Sequence, residues 1–390
     1  MEYGRLNNSA FKGVLLVGLD AAKPNGLSMA FRLVIHGMEE RGIPFHVINT
    51  ESKRASRQVG AFSLGRALQG VGELVRFITA VFNASSIYIT IGLSKGSFLR
   101  DCFMIWVASL LRRRVVLHVH SGGYGLFYDE QSTWMKQLIR RTLSKAQAII
   151  VLGELLREQF SFLTNADDLL VVVPNALPFD LLPVVDNSIR DIYDSEPVRL
   201  LYLSNLIEAK GYLDCLEACH ILNQRGIPVH LSFCGEFVQH VYGSQWNSAE
   251  EAKENFFERI QAYGLEEFVD YHGVVLGDEK QKILEQSHVL ILPTWYPWEG
   301  QPISIIEALA FGLPVISTCF RGIPEQIVDG YNGYLVESKQ PAQIAEKVEH
   351  MWKDAEKYKQ FCLNARKQFE QNFTSQIHLD RLIPIILGSE

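Results

Sequence analysis

The chain has 390 residues, of which 47% are hydrophobic, 21% are charged and 11% are aromatic. This composition is typical of a folded soluble protein and excludes a disordered, collagen-like or coiled-coil chain, and the length predicts about two domains. The net charge of −7 hides an asymmetry, because residues 1–190 carry 21 Lys and Arg against 15 Asp and Glu, whereas residues 191–390 carry 16 against 29. A basic half at +6 is thus joined to an acidic half at −13, and such an asymmetry can mark a face that meets an anionic partner.

The cysteines and the apolar runs predict the cellular setting. All six cysteines lie among apolar neighbours without a Cys-x-x-Cys pair, which favours a reducing cytoplasm over a disulfide framework or a zinc site. The first apolar run, residues 13–19, is strand-sized, so we expect no signal peptide. The run at residues 103–111 is too short to span a membrane and is followed by three arginines. We expect it to form a buried helix of an α/β layer rather than a helix on a membrane surface.

Short runs rich in Val, Ile and Leu alternate with longer helix-like segments along the whole chain. This pattern is typical of parallel sheets that are buried on both faces. In the first half, strands are predicted at residues 14–17, 45–48, 87–91, 115–119, 148–152 and 170–173. In the second half, they are predicted at residues 199–203, 229–234, 269–272, 289–292 and 314–318. The sequence therefore predicts two doubly wound α/β domains of similar size.

A polar stretch with several prolines separates the two sets of strands and predicts a linker. The predicted boundaries are residues 1–185 for the N-terminal domain, 186–197 for the linker, 198–371 for the C-terminal domain and 372–390 for a C-terminal helix. In doubly wound domains ligands bind beyond the carboxyl ends of the strands, so we expect functional residues there. The sequence has no Gly-x-Gly-x-x-Gly after its first strand and no P-loop motif, which argues against a dinucleotide dehydrogenase and a P-loop ATPase.

The most informative segment is residues 295–314, WYPWEGQPISIIEALAFGLP, which follows a predicted strand. Pro302 near its start and the Gly-x-Pro at its end predict a helix over residues 302–311. The amides and the positive dipole end at the N-terminus of this helix would suit a phosphate. Glu299 stands just before that N-terminus, and Glu307 interrupts an apolar helix, so we expect Glu307 to face a polar partner or water. A helix-start acid and a surface glutamate remain the alternative at this point.

The Glu299-x7-Glu307 pair, with Gly312-x-Pro314 after it, resembles the most specific motif of the retaining glycosyltransferases of family 4, which have the GT-B fold. Other stretches match in the family's order, namely Val173-Pro174-Asn175, Lys210-Gly211, Gly322-x-Pro324-Glu325 and Asp329-Gly330-x-Asn332-Gly333. The resemblance covers most of the chain and is loose before about residue 110. It implies an α/β GT-B fold, in which two doubly wound Rossmann-like domains face a deep interdomain cleft. The first domain would bind the acceptor and the second the nucleotide-sugar donor, with the C-terminal helix crossing back to the first.

The resemblance also implies roles for residues of the donor domain. In the family the first glutamate of the pair contacts the donor sugar, the second holds the ribose, a lysine after the first strand neutralises the diphosphate, and backbone near the pair approaches the sugar and phosphate. The matching residues are, in that order, Glu299, Glu307, Lys210, and Gly300 with Gln301 and Pro302. From the local pattern alone, Lys210 would more simply be a solvated lysine at a helix start.

Two departures from the family pattern concern positive charge. The family usually has Gly-Arg five residues before the lysine, whereas this chain has Ser204-Asn205. The loss of a charged donor to a diphosphate typically costs about 1.5 to 3 kcal/mol of interaction. Arg321, at a strand end where the family has a glycine, is our candidate for the missing charge in the donor site. The alternative for Arg321 is a solvent-facing loop arginine.

In the N-terminal domain, His118 and His120 alternate at the end of a predicted strand, which places both imidazoles on one face. Two histidines without a third ligand are weak evidence for zinc, and we expect no metal site. The family has a histidine at the close of the equivalent strand, near the transferred sugar, and His120 matches that place. Gly122-Gly123 would let the backbone approach a ligand closely, and Gly26 matches half of a Gly-Gly loop that contacts acceptor or phosphate in the family.

The function implied by the resemblance is retaining transfer of a sugar from a UDP- or GDP-linked donor to a hydroxyl of a glycan or lipid-linked acceptor, in polysaccharide or glycolipid synthesis. Glu299, Lys210 and His120 would be the catalytic residues, and neither a metal nor a cofactor is expected. Two alternatives stay open. A non-catalytic GT-B protein that binds a sugar or nucleotide is favoured by Asn205, and a nucleotide-sugar epimerase would be a third kind of GT-B protein.

The basic half of the chain is the predicted acceptor domain. Its clusters at residues 53–57, 112–114 and 140–141 suggest contact with an anionic bilayer or a lipid-pyrophosphate acceptor. The protein would then be cytoplasmic and peripheral on the inner face of the membrane. Solvated helix ends would produce the same clusters. We expect no nucleic acid partner.

Overall fold

A computed structural model describes residues 13–21, 26–51, 64–178, 192, 197–238 and 245–389, with the backbone alone for residues 64–71. The chain divides into two compact units. Unit 1 comprises Met1–Pro178 together with Ser375–Glu390, and unit 2 comprises Phe179–Thr374. The predicted linker at residues 186–197 lies almost entirely outside the described residues, so it stays a prediction.

Unit 1 contains a parallel sheet whose described strands number six and run in the order β2-β1-β3-β4-β5-β6. Its central strands are buried on both faces, and β1 is buried at every position. Apolar β-branched runs form such strands because both faces of the sheet are covered by helices. The strands are β1 (Gly13–Gly18), β2 (Phe45–Asn49), β3 (Ala84–Thr90), β4 (Arg114–His118), β5 (Ala148–Val151) and β6 (Leu170–Val172).

The helices of unit 1 cover the sheet on opposite faces. They are α1 (Gly26–Glu40), α2 (Leu64–Val81), α3 (Lys95–Leu110), α4 (Tyr124–Asp129), α5 (Thr133–Leu143), α6 (Ala166–Leu169) and the C-terminal helix, α13 (Ser375–Leu387). A 3-10 helix spans Glu154–Phe160. Crossovers between parallel strands are right-handed, and α1 crosses in the opposite direction to α2, α3 and α5. These three helices therefore lie on the face away from α1, while α13 packs against α1, β3 and β4.

Unit 2 repeats the architecture, and its six described strands run in the order β12-β11-β10-β7-β8-β9. The strands are β7 (Val198–Leu203), β8 (Val229–Cys234), β9 (Val269–Gly273), β10 (Val289–Leu292), β11 (Val315–Thr318) and β12 (Gly333–Val336). The helices are α7 (Tyr212–Gln224), α8 (Ala249–Tyr263), α9 (Gly277–Gln286), α10 (Ile303–Ala310), α11 (Pro341–Lys353) and α12 (Ala355–Asn372), with 3-10 helices at Glu208–Lys210 and Ile323–Glu325.

The predicted fold class is confirmed, because the two units are doubly wound Rossmann-like α/β structures. Each predicted strand is present with its ends shifted by at most three residues. Strand β12 was not predicted, since it directly follows a turn rich in glycine and asparagine. The predicted start of the helix in residues 302–311 is wrong by one residue, because the ψ angle of 121° at Pro302 is not helical and makes this residue the N-cap of α10.

The prediction of a buried helix at residues 103–111 is wrong for its outer side. Helix α3 buries Met104, Ile105 and Ala108 against the unit but leaves Phe103 and Trp106 exposed. A continuous run of apolar residues covers every side of a helix, but only one side of α3 packs against the rest of the unit. Within the described residues, no helix is long and apolar enough to cross a bilayer.

Candidate functional site

Two predicted site residues of unit 2 follow neighbouring strands at the centre of its sheet. Lys210 comes after β7 and Glu299 after β10, and β7 and β10 pair in parallel. The chain leaves β7 toward β8 on one side, and β10 lies on the other side, so the strand order reverses between them. In doubly wound sheets the crevice at this point is where ligands bind.

Gly211 allows the loop after β7 to take its shape. The short 3-10 helix that ends at Lys210 is followed by Gly211 with φ of +78°, a conformation that favours glycine. A Cβ at this position would lie 2.6 Å from the carbonyl oxygen of Pro293, so a side chain could not fit. The amide of Trp295 donates to the carbonyl of Ala209 at 2.8 Å. This hydrogen bond therefore joins the loops after β7 and β10 next to Lys210.

Lys210 and Glu299 form an ion pair with little exposure to water. The Lys210 Nζ lies 3.3 Å from Glu299 Oε2, and the side chains are 17% and 9% exposed. Thr294 Oγ1 donates to the same oxygen at 3.3 Å, and the Lys210 Nζ lies 5.5 Å from the centroid of the Tyr296 ring. Burial, together with the charge of Glu299, raises the pKa of the Tyr296 hydroxyl to about 12. The Lys210 ammonium group is thus held next to the point where the strand order reverses.

The predicted residues 299–302 form one buried turn that leads into α10. Glu299, Gly300, Gln301 and Pro302 are all buried. The Pro302 carbonyl accepts a hydrogen bond from Gln326 Nε2 at 3.1 Å, which fixes the start of the helix. The first amides of a helix have no acceptor within it, and the dipole makes this end positive. The turn thus combines the Glu299 carboxylate with a helix N-terminus, and the Lys210 ammonium group lies beside them.

Arg321 lies in the loop after β11, next to the same turn. The amide of Gly322 donates to the carbonyl of Gly300 at 3.3 Å, and the Arg321 guanidinium carbon lies 5.4 Å from the centroid of the Phe320 ring. Arg321 has φ of +51°, a left-handed conformation that costs a non-glycine residue about 1 kcal/mol. This strain explains physically why a glycine suits the position. That Arg321 supplies charge to a ligand stays a prediction.

Glu307 has a partner that the sequence did not identify. Its Oε1 accepts from Lys280 Nζ at 2.6 Å, and the Glu307 and Lys280 side chains are 8% and 13% exposed. The polar partner of Glu307 is therefore a lysine on α9. A buried carboxylate needs a cation, so the sequence signalled that a partner exists. The sequence did not indicate which of the lysines pairs with Glu307.

Two further features lie in the loop after β7 and in the segment after β8 that packs against it. Asn205, at the position of the missing cation, is exposed, and its carbonyl accepts from the Tyr202 hydroxyl at 3.0 Å. Gly235, which ends β8, was missed by sequence reasoning. Its φ is +152°, and a Cβ there would lie 1.9 Å from the Ser204 carbonyl oxygen. The signal for Gly235 was a glycine immediately after a buried strand.

Unit 1 contains a cluster of three imidazoles at the end of β4. The rings of His118 and His120 lie side by side with centroids 3.9 Å apart, and the His378 ring lies 6.4 Å from His118. The Tyr88 hydroxyl lies 2.6 Å from His118 Nδ1, and His378 Nδ1 donates to the Pro174 carbonyl at 2.6 Å. Burial lowers the pKa of His120 to about 3 and that of His378 to about 4. The rings are therefore neutral at pH 7.

His378 was missed because it lies on α13, far along the sequence from β4. The predicted placement of His118 and His120 on one face is confirmed, because their ring centroids lie 3.9 Å apart. Asn175, from the matched Val-Pro-Asn stretch, is buried, and its side chain opposes the lowering of the His120 pKa.

The glycines predicted to contact an acceptor or a phosphate lie at the starts of helices. Gly122 and Gly123 are buried just before α4, and the Gly123 amide donates to Ser121 Oγ at 3.0 Å. Gly26 is exposed and begins α1. The roles of all three stay predictions. Across the described ranges, no group of three or more His, Cys, Asp and Glu side chains is placed to hold a metal ion.

Comparison with known proteins relates unit 2 to a family of glycosyltransferases. Residues 187–368 match the sequence profile described as "Glycosyl transferases group 1". WcaL of Salmonella typhimurium, named as a colanic acid biosynthesis glycosyltransferase, is 28% identical over 185 residues, which is 46% of this chain and 42% of WcaL. The amylovoran biosynthesis glycosyltransferase AmsK of Erwinia amylovora is 28% identical over 195 residues, 49% of this chain and 45% of AmsK. The matches thus span less than half the length of these two relatives.

Solved structures resemble the whole chain. HepE of Anabaena, solved in complex with UDP-glucose, has a TM-score of 0.70 and 17% identity, covering 97% of this chain and 99% of HepE. Sucrose-phosphate synthase of Thermosynechococcus elongatus has a TM-score of 0.71 and 17% identity, covering 97% and 100%. At this identity the likeness concerns the fold, which is that of the GT-B glycosyltransferases.

Proposed function

We propose that this protein is a glycosyltransferase that moves a sugar from a nucleotide-sugar donor to a hydroxyl of a glycan or lipid-linked acceptor during polysaccharide synthesis. The observation that carries the proposal is the Lys210–Glu299 pair at the strand reversal of unit 2, beside the N-terminus of α10. An ammonium group and helix amides are what a diphosphate requires. The names of WcaL and AmsK support the assignment to polysaccharide synthesis.

Groups of opposite charge in unit 2 would recognise different parts of the donor. The diphosphate would meet Lys210 and the amides of the first turn of α10, where positive charge is concentrated. Glu299 would accept hydrogen bonds from the sugar hydroxyls, and Glu307 from the ribose, with Lys280 holding the Glu307 carboxylate in place. Because HepE is solved with UDP-glucose, we propose a UDP-sugar as the first donor to test.

The chemical step would depend on electrostatic stabilisation. As the bond to the sugar breaks, negative charge grows on the diphosphate, and Lys210 would stabilise it in a position that is already organised. We propose retention of the anomeric configuration: the acceptor hydroxyl attacks on the face from which the diphosphate leaves, and the leaving phosphate takes its proton. The cationic residues would serve in place of a divalent metal. His120, which is neutral at pH 7, would contact the transferred sugar.

We also propose a cytoplasmic location. Cys319 is an exposed free thiol, and the other cysteines are buried free thiols. Free thiols persist where the compartment is reducing.

The experiment that tests the function is a donor screen. The purified protein is incubated with UDP-, GDP- and other nucleotide sugars, with and without EDTA, and release of the nucleoside diphosphate is measured. We expect slow hydrolysis of one donor, and EDTA should not abolish it. Candidate acceptors are then added, and the true acceptor should speed up release of the nucleoside diphosphate. Proton NMR of the product would give the anomeric configuration. Nucleotide binding without release would support a binding protein, and epimerised donor would support an epimerase.

The site assignment predicts the effect of two single substitutions. Lys210→Ala and Glu299→Ala should each lower the transfer rate by about 10²- to 10³-fold, because each removes a preorganised contact to the donor. The measurement is the initial rate at saturating donor and acceptor. Lys282→Ala, an exposed lysine on α9, is the matched control and should leave the rate unchanged. Near-normal transfer in both site variants would refute the assignment.

A further inference from the structure

Helix α3 presents an apolar stripe to solvent. Leu99, Phe103, Trp106 and Leu110 follow one another at spacings of four, three and four residues, which places them on one side of the helix. They are 46%, 39%, 41% and 83% exposed. Single exposed apolar residues are ordinary, but a continuous row of large side chains indicates an interaction surface.

The stripe extends onto both neighbouring helices. Helices α2 and α5 each pack against α3 on the same face of the unit 1 sheet. On the α2 side, Val75, Ile78 and Phe82 are 56%, 38% and 56% exposed, and on α5 Trp134 is 61% exposed. The outer surface of these three helices is thus apolar over a broad area rather than at one position.

The exposed charges on and beside these helices are mostly basic. On the described side chains of α2, α3 and α5 the acidic residues are Glu73 and Asp101, which are 3% and 1% exposed and both paired with Arg100. By contrast, four arginines on and beside these helices are exposed; they are Arg76, Arg112, Arg140 and Arg141. The exposed acids beside α5 are Glu130 and Asp129, and Asp129 lies 3.9 Å from Lys136. An outward surface that is basic in a protein of net charge −7 would attract an anionic partner.

A pocket of about 520 Å³ joins the apolar and the basic parts. It is lined by Trp106, Arg140, Arg141, Ser144 and Lys145. The Lys145 Nζ lies 5.0 Å from the centroid of the Trp106 ring, and the Trp106 indole N–H donates to Thr142 Oγ1 at 3.0 Å, which fixes the ring. Such a pocket can take a phosphate group at its basic end while the indole borders the apolar stripe.

We propose that the outer surface of α2, α3 and α5, here called the basic-apolar face, docks onto an anionic lipid bilayer. The apolar stripe would enter the region between headgroups and acyl chains, and the pocket beside Trp106 would hold a lipid phosphate. The combination of large apolar side chains, a tryptophan and flanking cations is what a membrane surface selects. A second copy of the same face would bring like charges together, which opposes self-association. This inference stands independently of the proposed function.

The charge contribution is tested with lipid vesicles. Binding of the full chain is measured by flotation with vesicles of 70% phosphatidylcholine and 30% phosphatidylglycerol, and with vesicles of phosphatidylcholine alone. We expect binding to the anionic vesicles that weakens between 0.1 and 0.5 M NaCl. Since each cation near such a surface contributes about a fivefold gain in partitioning, Arg140→Gln with Arg141→Gln should weaken binding about 25-fold. Lys282→Gln, on unit 2, should leave it unchanged.

The apolar contribution has its own matched control. Phe103→Gln with Leu110→Gln should weaken binding at least about tenfold, because two apolar side chains no longer enter the membrane. Val274→Gln with Leu276→Gln changes two exposed apolar residues of unit 2 and should have no effect. Brominated lipids should quench the tryptophan fluorescence of the unaltered protein, and Trp106→Phe should reduce that quenching.

Three results would overturn the proposal: no binding to anionic vesicles at 0.1 M salt, equal binding by the face variants, or a dimer in sedimentation that the face variants abolish. Release of nucleoside diphosphate from the donor, measured without vesicles, should be the same in all these variants. Loss of vesicle binding with normal donor turnover would therefore contradict the docking proposal and not the proposed function. Vesicle binding without donor turnover would contradict the proposed function and not the docking proposal.

Discussion

At the scale of single residues, unit 2 holds two buried ion pairs near α10. Lys210 pairs with Glu299 before this helix, and Lys280 pairs with Glu307 within it. Buried pairs are seldom more stable than apolar residues of similar volume, whereas removing one partner is strongly destabilising. We therefore expect each pair to add little net stability, and we propose that the two carboxylates serve donor binding.

Lys280→Met should separate these two effects. We expect the free energy of unfolding to fall by about 3 kcal/mol, because Glu307 is left as an unpaired buried carboxylate. The double variant Lys280→Met with Glu307→Leu should recover most of this loss, as followed by urea denaturation. It should still transfer sugar slowly, since the carboxylate proposed to hold the ribose is gone. Lys282→Met, which changes an exposed lysine two residues further along α9, should change stability by less than about 0.5 kcal/mol.

Arg321→Gly should change stability and activity in opposite directions. Glycine relieves the left-handed conformation at this residue, so the free energy of unfolding should rise by up to about 1 kcal/mol. Donor affinity should fall about 10- to 100-fold if the guanidinium contacts the diphosphate. Calorimetry with the donor and urea denaturation provide the two readouts. Arg112→Gly, also at a positive φ, is the matched control, and an unchanged donor affinity in Arg321→Gly would leave this arginine without a donor role.

At the scale of secondary structure elements, the contact between α13 and the sheet of unit 1 contains the imidazole cluster. Helix α13 buries His378 together with Leu379 and Leu382, and its His378 ring faces His118 and His120 at the end of β4. Burial and neighbouring positive charge, including Arg381 for His378, lower the pKa of the histidines. Protonating any of them in the folded chain is therefore unfavourable.

The cluster predicts that unit 1 loses stability in mild acid. Above pH 6.5 the imidazoles are neutral in the folded and unfolded chain. As the pH falls below 6.5, the unfolded chain binds protons that the folded cluster does not, so the free energy of unfolding should fall by about 2 kcal/mol per histidine between pH 7 and pH 5. Urea denaturation at several pH values measures the slope. His378→Gln should reduce the slope, whereas His350→Gln, an exposed histidine of unit 2, should not.

At the scale of the whole molecule, unit 1 is built from two distant parts of the chain. Helix α13 completes it, with the Ser86 hydroxyl donating to the Ile386 carbonyl and Arg114 Nε donating to the Ile385 carbonyl at 2.9 Å. Gly37 lies so close to Leu379 that a Cβ there would be 2.4 Å from the leucine side chain. Unit 2, in contrast, is one continuous segment.

Fragments of the chain should therefore behave differently. Residues 179–374 expressed alone should unfold cooperatively, because this segment contains its own sheet and core. Residues 1–178 alone should be largely unfolded or aggregated, because the apolar surface that α13 covers would be exposed. Adding residues 375–390 as a peptide should restore part of the signal. Circular dichroism and urea denaturation are the measurements, and a stable 1–178 fragment would contradict this view.

The sequence by itself determined the two doubly wound units, every described strand except β12 and the residues that follow the predicted strands, because these depend on local periodicity and on short motifs such as Glu299-x7-Glu307. It also indicated that Glu307 needs a partner. Only the tertiary structure decided that the partner is Lys280, that His378 joins His118 and His120, and that the apolar run of α3 faces outward. Each of these depends on contacts between elements that are distant in sequence, and periodicity carries no information on which elements meet.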